Sequence, residues 1–554
     1  MTPALRKPAI EAQESWDLAQ EREGLPTADQ HDRRNLKHHH HHKKAEEKRK
    51  ALLGQLYDHP GIHNGRVHGM MIDAGSTGSR LHIYEWKPRI LRSHGDVEAV
   101  AGGDKLSYPD THTRWTDRLT PGLSTFHSIA DENELVEQVA EYFRPLLDFA
   151  RTVLHAKENA WETYPIYLRA TAGMRTLERE QRARVMKAVR KVFSNSTISP
   201  FLFDNDEQAR VISGEEEAVF DWTAVNFLMG NLVSQTEGTG TVRPSIETHG
   251  ALDLGGASTQ ISFYEPDEDV MSNFFKLQIG QSKHWNIYAH SFLFYGMNEA
   301  IHRFGARLVG KSTIGNNTDG TSIVRNPCLQ VGSTVETQTW INVDSGIETW
   351  ASNEKTFTMT NSEVDLDLCF NRVRELLHLP ENSWCEFAHR GDCSLAGVYQ
   401  PQLPQNSEFV AFSNFALVWT ILNLPESSSV DELGAAARKF CATPPPDADP
   451  SDCFRGVYAY ELLRSGYGFA PTQRVRAVRV VAGQHVGWAL GAMLYEINTL
   501  PWHYEEERET NFVAIIVVAM CAFLALWCVI AEREQRLRRW YQPIKNVEER
   551  NLVR

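Results

Sequence analysis

Alternating apolar and polar positions predict two strand–turn–strand units in distant parts of the chain. The first begins with an apolar run over residues 70–72 and continues after a turn as an alternating segment over 81–86. The second repeats this pattern over 250–263. In each unit the first strand ends in an aspartate, Asp73 or Asp253, and a glycine follows two residues later. Two such units at a domain-sized separation predict a duplicated architecture whose halves face each other.

The turns of both units combine glycine with small hydroxylated residues, in "DAGSTGSR" and "DLGGASTQ". Backbone N–H groups and hydroxyls in a tight turn suit a phosphate group, and an aspartate at a strand end suits a cation. A glycine- and serine-rich turn that only joins two strands is common, so one copy would not discriminate between the two interpretations. The second copy favours a pair of phosphate-binding loops, one from each half.

Two further stretches between these units carry residues suited to hydrolysis. In "YLRATAGMR", residues 167–175, a small-residue turn after a strand-like segment presents the hydroxyl of Thr171. In "ISGEEEAVFDWTAVNFLMG", residues 212–230, three glutamates precede a run with helical apolar spacing. The helix dipole favours acidic residues at a helix start, which explains one or two of the glutamates. A third suits hydrolysis, which needs a carboxylate to orient and deprotonate a water in line with a phosphoryl group.

One segment near the C-terminus is apolar enough to cross a membrane. Residues 512–531 hold no charge and have about the length that a helix needs to span the hydrocarbon core. Acidic residues precede the segment, at Glu505, Glu506, Glu507 and Glu509, and basic residues follow it, at Arg533, Arg536, Arg538, Arg539 and Lys545. The positive-inside rule then predicts a cytosolic tail and a lumenal or extracellular position for the preceding chain. A buried core helix is the alternative interpretation.

The cysteines agree with an oxidising compartment. Six of the eight lie in the soluble part, and they are Cys328, Cys369, Cys385, Cys393, Cys441 and Cys453. No C-x-x-C pair and no histidine at zinc spacing accompanies them, so we expect three disulfides. The pairing stays open at this point, with sequential pairing the simplest arrangement. The triplets that begin at Asn195 and Asn316 fit glycosylation in the secretory pathway.

Composition narrows the class of protein. The chain of 554 residues is long enough for about two or three domains, and its formal charge of −14 argues against nucleic-acid binding, which needs clustered lysine and arginine. Residues 1–66 form a polar tail that we expect to be disordered, without an apolar stretch resembling a signal peptide. Its five histidines, His38 to His42, fit a solvated low-complexity tract better than a transition-metal site. Either the C-terminal segment is the sole membrane signal, or the true start of the protein lies elsewhere.

Four stretches together resemble the apyrase conserved regions of the nucleoside triphosphate diphosphohydrolase family. They are "DAGSTGSR", "ATAGMR", "SGEEEAVFDW" and "DLGGASTQ", in the family's order. Further similarity over 397–415, 453–469 and 487–501 extends the resemblance to about residues 68–502. The stretches "GSRLHIYEW", "NPCL" and "NSEF" are most similar to the Golgi and endomembrane branch, some members of which also have a C-terminal membrane helix.

The resemblance implies an α/β fold of the actin and Hsp70 type, with duplicated ribonuclease-H-like domains and a nucleotide cleft between them. The first lobe would comprise residues 67–212 and be completed by 486–502. The second lobe would span 213–485 and hold the six cysteines. One C-terminal transmembrane helix at 512–531 and a basic cytosolic tail at 532–554 would follow.

The resemblance also implies a set of site residues. The phosphate-binding residues would be Ser76, Thr77, Gly78 and Ser79 in the first loop and Gly255, Gly256, Ala257 and Ser258 in the second. Asp73 and Asp253 would hold the waters of a divalent cation, Ca²⁺ or Mg²⁺. Thr171, Ser258 and Gln260 would orient those waters or the attacking one. Glu217 would be the catalytic base, and no phosphoenzyme would form.

Two departures from the family pattern bear on this site. Alanine replaces the glycine that follows the base, at Ala218, and this change is mild if φ stays negative. The family's aromatic pair that stacks on the nucleobase is replaced here by Ala416 and Leu417. We therefore expect Tyr458 or Tyr460 to supply one stacking face, and the base preference stays open.

These observations predict a membrane-anchored apyrase that removes the terminal phosphate of nucleoside di- and triphosphates. The expected substrates are UDP and GDP in the lumen of the Golgi or another endomembrane compartment, with the cell surface as the alternative location. Another enzyme of the same fold, such as an exopolyphosphatase or a sugar kinase, is a second interpretation. A catalytically silent nucleotide-binding ectodomain is a third, which the missing aromatic pair favours and the intact acidic residues oppose. The sequence does not predict the oligomeric state.

Overall fold

The computed structural model describes most of the chain from Arg66 onward. The described residues are 66–87, 90–91, 106–236, 239–242, 248–265, 274–279, 283–311, 315–316, 322–340, 354–377, 393–404, 407–499, 503–504 and 512–551. The N-terminal tail with His38 to His42 lies outside them, and so does Cys385. Contacts divide the chain into two compact units, residues 1–88 with 102–501 and residues 89–101 with 502–554.

A five-stranded mixed sheet forms the first lobe of the larger unit. Its strands, in spatial order, are β5 (Thr116–Leu119), β2 (Ser79–Trp86), β1 (Val67–Ala74), β6 (Ile166–Ala170) and β7 (Ala209–Val211). β1 pairs antiparallel with β2 and parallel with β6. Three helices belong to this lobe: α1 (Glu132–Val153), α2 (Ala172–Arg175) and α3 (Arg179–Phe193). β1 reads as a continuous apolar run because both of its faces are covered.

The second lobe repeats this arrangement in a seven-stranded sheet. Its strands, in spatial order, are β12 (Phe274–Ile279), β13 (Lys283–Leu293), β11 (Ser258–Tyr264), β10 (Gly250–Leu254), β18 (Phe409–Ser413), β20 (Arg474–Ala477) and β19 (Ser427–Ser429). β10 pairs antiparallel with β11 and parallel with β18, as β1 does with β2 and β6. The order β13-β11-β10-β18-β20 therefore matches β5-β2-β1-β6-β7, and the predicted duplicated α/β fold is confirmed.

Smaller sheets and the remaining helices complete the larger unit. One small sheet has the order β14 (Gly315–Asn316), β15 (Ser322–Arg325), β17 (Glu354–Thr360) and β16 (Thr334–Trp340). A second has the order β4 (Leu106–Ser107), β9 (Thr239–Val242) and β8 (Val233–Thr236). In a third, β21 (Val480–Val481) pairs with β22 (Gln484–His485). The helices are α4 (Gly214–Leu228), α5 (Met297–Lys311), α6 (Leu366–Arg374), α7 (Asn414–Ile421), α8 (Val430–Ala442), α9 (Asp452–Glu461) and α10 (Trp488–Thr499). Short 3₁₀ turns cover Leu123–Ser128, His155–Thr163, Asp206–Gln208, Glu375–Leu377 and Leu395–Gly397, and a π turn covers Leu462–Gly466.

The predicted disulfides are present in the second lobe. Cys328 pairs with Cys369, and Cys441 pairs with Cys453. Cys393 is also disulfide-bonded. The two described pairs join neighbours in the order of the chain, in agreement with the sequential arrangement. The five disulfide-bonded cysteines of the described residues fit an oxidising compartment, where disulfides persist.

Helices α4 and α10 pack against each other between the two sheets. Their apolar side chains share one buried core with Met71 and Tyr167 of the first sheet and with Val410 of the second. The helices approach closely at Gly491, where an added Cβ would lie 2.0 Å from the carbonyl oxygen of Phe220. Glycine is therefore required at this crossing, because any larger residue would meet the backbone of α4.

The smaller unit contains a two-stranded parallel pair and the last helix. β3 (Ile90–Leu91) pairs with β23 (His503–Tyr504), and α11 spans Phe512–Asn551. Within the part of the chain that the structure describes, no helix combines the length and the apolar character that a membrane crossing needs. The membrane span over 512–531 thus stays a prediction.

Candidate active site

The turns that follow β1 and β10 have the same backbone geometry. In the first turn the N–H of Gly75 donates to the carbonyl oxygen of Gly78 at 2.9 Å, and in the second the N–H of Gly255 donates to the carbonyl oxygen of Ser258 at 3.0 Å. Each turn closes one hairpin, between β1 and β2 or between β10 and β11. This geometry suits a bound anion, because backbone N–H groups of a tight turn form a concave donor surface.

The two loops face each other across one cleft. An ideal Cβ on Gly256 would lie 2.6 Å from the hydroxyl oxygen of Ser76, so the loops of the two lobes are in near contact. The turn after β6 closes the same end, since a Cβ on Gly173 would lie 2.6 Å from the Cα of Ser76. The cleft has a volume of about 410 Å³, within the range of small-molecule sites. All eight residues of the two expected phosphate loops line it: Ser76, Thr77, Gly78, Ser79, Gly255, Gly256, Ala257 and Ser258.

Asp73 and Asp253 lie at the corresponding ends of β1 and β10 and line the cleft. Burial raises the pKa of Asp73 to about 7, helped by the charge of Glu217 and opposed by Arg80. Burial likewise raises the pKa of Asp253 to about 7, against a hydrogen bond from Ser413. The two carboxylates are thus held where their ionised forms need a nearby positive charge.

Glu217 lies on α4 and faces the cleft from below. The helix begins at Ser213, whose hydroxyl accepts from the backbone N–H of Glu216 at 3.0 Å, and the dipole favours acidic residues in this first turn. The side chain of Glu217 is only 6% exposed, and Arg175 donates to its Oε2 at 2.9 Å. Burial raises the pKa of Glu217 even though Arg175 lowers it. A carboxylate with a raised pKa next to an anion cradle is suited to accepting a proton from water.

A hydrogen-bond network fixes the orientation of Glu217. The side-chain amide of Gln260 donates to the Oε2 of Glu217 at 3.1 Å and to the hydroxyl of Ser258 at 2.8 Å. Arg175 also donates to the hydroxyl of Ser258, at 3.2 Å. Thr171 lies at the tip of β6, is 4% exposed and lines the cleft, and its N–H donates to the carbonyl oxygen of Ala74 at 3.1 Å. The structure thus brings together all the residues to which the resemblance gives catalytic roles.

The two tyrosines expected to stack on the nucleobase lie elsewhere. Tyr458 is completely buried, and its hydroxyl donates to the carbonyl oxygen of Tyr295 at 2.7 Å. The ring of Tyr460 packs edge-on against Phe370 and lies against Gly434. Neither tyrosine is among the residues that line the cleft, so the expectation of tyrosine stacking is wrong.

Other side chains line the cleft beyond the second phosphate loop. Asn414, the first residue of α7, donates to the carbonyl oxygen of Leu254 at 2.8 Å and so joins α7 to that loop. Leu417 follows one turn later and lines the cleft, together with Arg455 and Arg479. The helix therefore leads from the loop to an aliphatic and cationic wall.

A divalent cation fits the donors at the closed end of the cleft. Carboxylate oxygens are the ligands that Ca²⁺ and Mg²⁺ prefer, and Asp253 carries a buried Oδ1 that has no hydrogen-bond partner. Among the residues that the structure describes, no three histidine, cysteine or acidic side chains lie close enough together to hold a metal ion directly. A hydrated ion is the form that this donor set suits.

Comparison with known proteins decides the family. Residues 61–512 match the model of the GDA1/CD39 (nucleoside phosphatase) family. The chain belongs to the GDA1/CD39 family. It is 31% identical over 459 residues to ectonucleoside triphosphate diphosphohydrolase 1 of Bos taurus, covering 78% of this chain and 81% of that protein. It is 28% identical over 469 residues to nucleoside-diphosphatase mig-23 of Caenorhabditis elegans, covering 79% and 78%.

A solved structure shows the same fold. The nucleoside triphosphate hydrolase of Neospora caninum superposes with a TM-score of 0.54 at 18% identity, covering 82% of this chain and 97% of that chain. Membership of the GDA1/CD39 family makes the protein a nucleoside phosphatase, and hence a hydrolase.

Two positions of this nucleoside phosphatase, Ala218 and Arg175, differ in how far the sequence predicts their roles. Ala218 is an interior residue of α4, where φ is negative, so the replacement of glycine introduces no backbone strain. Arg175 was not assigned a role, although it ends the stretch "ATAGMR" and lies four residues after Thr171. Its position at the end of α2, one helical turn after Thr171, is the sequence signal for a cation near the site.

Proposed function

We propose that this nucleoside phosphatase removes the terminal phosphate of nucleoside di- and triphosphates by in-line attack of water that Glu217 activates. The observation that carries the proposal is the position of a buried carboxylate, ion-paired with Arg175, at the closed end of a cleft between two facing anion loops. A triphosphate gives a diphosphate and orthophosphate, and a diphosphate gives a monophosphate and orthophosphate.

Each group has one task in this reaction. The backbone N–H groups of the two loops hold neighbouring phosphates of the substrate in line with the site of attack. Gln260 and Ser258 keep the Oε2 of Glu217 oriented, and the second carboxylate oxygen takes the proton of the attacking water. Thr171 presents its hydroxyl beside the same water. A divalent cation, when bound, offsets charge on the phosphate oxygens, and Asp73 and Asp253 hold it through its water ligands.

We further propose that diphosphates of uridine and guanosine are the main substrates. The cleft wall beyond the second loop offers Arg455 and Arg479, whose guanidinium groups only donate hydrogen bonds. Uracil and guanine present carbonyl oxygens there, whereas adenine presents an amino group. The C. elegans relative is named a nucleoside diphosphatase, which supports activity on diphosphates.

The proposed location is an endomembrane lumen such as that of the Golgi, with residues 512–531 as a membrane anchor and a cytosolic C-terminus. The uncharged run and the basic cluster that follows it support the anchor. The disulfides support a lumenal position for the catalytic part, because such bonds persist in oxidising compartments. The cell surface would satisfy the same observations.

Phosphate release from a panel of nucleotides tests the function. The protein is incubated with UDP, GDP, ADP, UTP or ATP, each with Ca²⁺, with Mg²⁺ or with a chelator. We expect release from the uridine and guanosine diphosphates at least as fast as from ADP, and none with the chelator. No release from any nucleotide would support the catalytically silent ectodomain instead. Equal release with and without the cation would overturn the role of Asp73 and Asp253.

A further inference from the structure

Asp221 is a fourth carboxylate near Asp73, Glu217 and Asp253, and it does not itself line the cleft. It lies on α4 one helical turn after Glu217, so the two side chains share a face of the helix. Its side chain is 1% exposed. Burial raises the pKa of Asp221 most, and the negative charges of Asp253, Glu217 and Asp73 raise it further. Asp221 therefore belongs to the same group of acidic side chains, behind the surface that the cleft exposes.

The described residues supply the carboxylate of Asp221 with few hydrogen-bond donors. Both of its oxygens are buried, and neither accepts a hydrogen bond of full geometry from a protein group. The backbone N–H of Trp488, at the start of α10, is a weak hydrogen-bond donor to Asp221 and lowers its pKa. The Oδ1 of Asp253 is also buried without a partner. Buried polar oxygens are nearly always satisfied, so these oxygens on two neighbouring carboxylates point to a missing donor.

Positively charged side chains neutralise only some of these four carboxylates. Arg175 is ion-paired with Glu217, and Arg80 acts on Asp73. Among the described residues, no cationic side chain forms an ion pair with Asp221 or Asp253, and unpaired buried carboxylates are strongly unfavourable. A hydrated divalent cation would supply both the missing charge and the missing donors, since its water ligands donate hydrogen bonds.

We propose that Asp221 is part of the cation site and would accept hydrogen bonds from the water ligands of the ion. This inference rests on the proposed function in taking the ion to be the divalent cation of the hydrolytic reaction. It goes further in one respect: three carboxylates, Asp73, Asp221 and Asp253, give the nucleotide-free protein an affinity for Ca²⁺ of its own. The cation then precedes or accompanies the nucleotide rather than arriving only on its phosphates.

Terbium binding without nucleotide tests this proposal. Tb³⁺ substitutes for Ca²⁺, and Trp488 lines the cleft, where it can sensitise the luminescence of the ion. The protein is titrated with Tb³⁺ and then with competing Ca²⁺, and Asp221→Asn is compared with Asp447→Asn, a change at an exposed aspartate. We expect Asp221→Asn to weaken the binding of both ions by about 10- to 100-fold, which is the usual effect of losing a residue that holds a metal's ligands. Asp447→Asn should leave both affinities unchanged. Equal affinities of wild type and Asp221→Asn would overturn the proposal.

Melting temperature separates a cation role from a purely structural one. Without metal, Asp221→Asn replaces a buried carboxyl group, whose ionisation burial and its acidic neighbours disfavour, by a neutral amide, so its melting temperature should equal or exceed that of the wild type. Added Ca²⁺ should raise the wild-type value more than that of the variant. If Asp221 only caps α10, the variant melts lower without metal and gains as much from Ca²⁺, and the proposal fails. These measurements use no nucleotide, so their outcome is independent of whether the panel shows hydrolysis.

Discussion

Replacement of Glu217 by glutamine is the decisive perturbation of the catalytic assignment. Glutamine keeps the size of the side chain and can still meet Arg175 and Gln260 through its carbonyl oxygen, but it cannot take a proton from water. The two preceding glutamates on α4 supply matched controls. Glu215 lies near His290, and Glu216 pairs with Arg210, so neither is bonded to Arg175 in the network below the cleft.

The expected loss in kcat follows from the loss of general-base catalysis. Such a group typically contributes about 10²- to 10⁴-fold, which corresponds to about 3–5 kcal/mol in the activation barrier. Stability should change less. The side chains of Glu217 and Arg175 are 6% and 13% exposed, and the loss of their ion pair is offset by relief of repulsion with Asp73 and Asp253. We expect the free energy of unfolding to change by no more than about 2 kcal/mol.

The assay is phosphate release at saturating UDP and Ca²⁺, with KM measured alongside kcat. Glu217→Gln should lower kcat by at least about a hundredfold with little change in KM, because the loops that hold the phosphates are untouched. Glu215→Gln and Glu216→Gln alter partly exposed pairs, which are worth about 0–1 kcal/mol, and should stay within about fivefold of the wild type. A Glu217→Gln protein with activity near that of these controls would refute the assignment of the base.

Three further predictions concern the site and its stability. Gly173→Ala places a Cβ 2.6 Å from the Cα of Ser76 and should displace the first phosphate loop. We expect a higher KM in steady-state kinetics and a free energy of unfolding in urea that is lower by about 1–3 kcal/mol. The control Gly487→Ala, whose added Cβ meets no atom within 4 Å, should change neither quantity. Arg175→Lys loses the two-pronged contact with the base and Ser258 and should shift the acidic limb of the pH–rate profile to higher pH; an unchanged profile would contradict this. Burial raises the pKa of Asp73 and Asp253 from 3.8 to about 7, so the stability of their neutral forms is fully present below about pH 4 and is lost as the pH rises through 7. The metal-free protein should therefore unfold at lower urea at pH 8 than at pH 5, by up to about 3 kcal/mol for each group, and Ca²⁺ should reverse the loss at pH 8; a flat pH dependence would show that the pair is not buried as charged groups.

The wrong expectation for Tyr458 has an identifiable physical cause. Phe454 and Tyr458 stand four residues apart on α9, and Leu462 continues the series, which is the spacing of a buried helix face. Their rings stack at 5.7 Å in the core of the second lobe. Aromatic residues near a family motif were interpreted as candidate stacking groups, but their periodicity indicates burial. The cleft wall is formed instead by α7, through Leu417.

Asp221 shows a different limit. It is visible in "FDW" as a polar residue within an apolar helical run, and such a residue in a buried helix indicates either a partner or a site. The sequence does not show what the side chain faces, because the partners belong to strands that begin far from α4 in the chain. The role of Arg175 does not follow from the sequence for the same reason. It donates to Glu217, which lies 42 residues further along the chain in a different motif.

Local patterns were sufficient for the elements of this nucleoside phosphatase. Strand and turn periodicity, the small residues of the loops and the acidic start of α4 depend on neighbours in the chain, so the two hairpins and the helix between them follow from composition and spacing. The approach of Gly256 to Ser76, the crossing of α4 and α10, and the environment of Asp221 came only from the packed lobes. These features depend on residues hundreds of positions apart and on burial, and burial is what raises the pKa of the acidic groups and leaves their oxygens without partners.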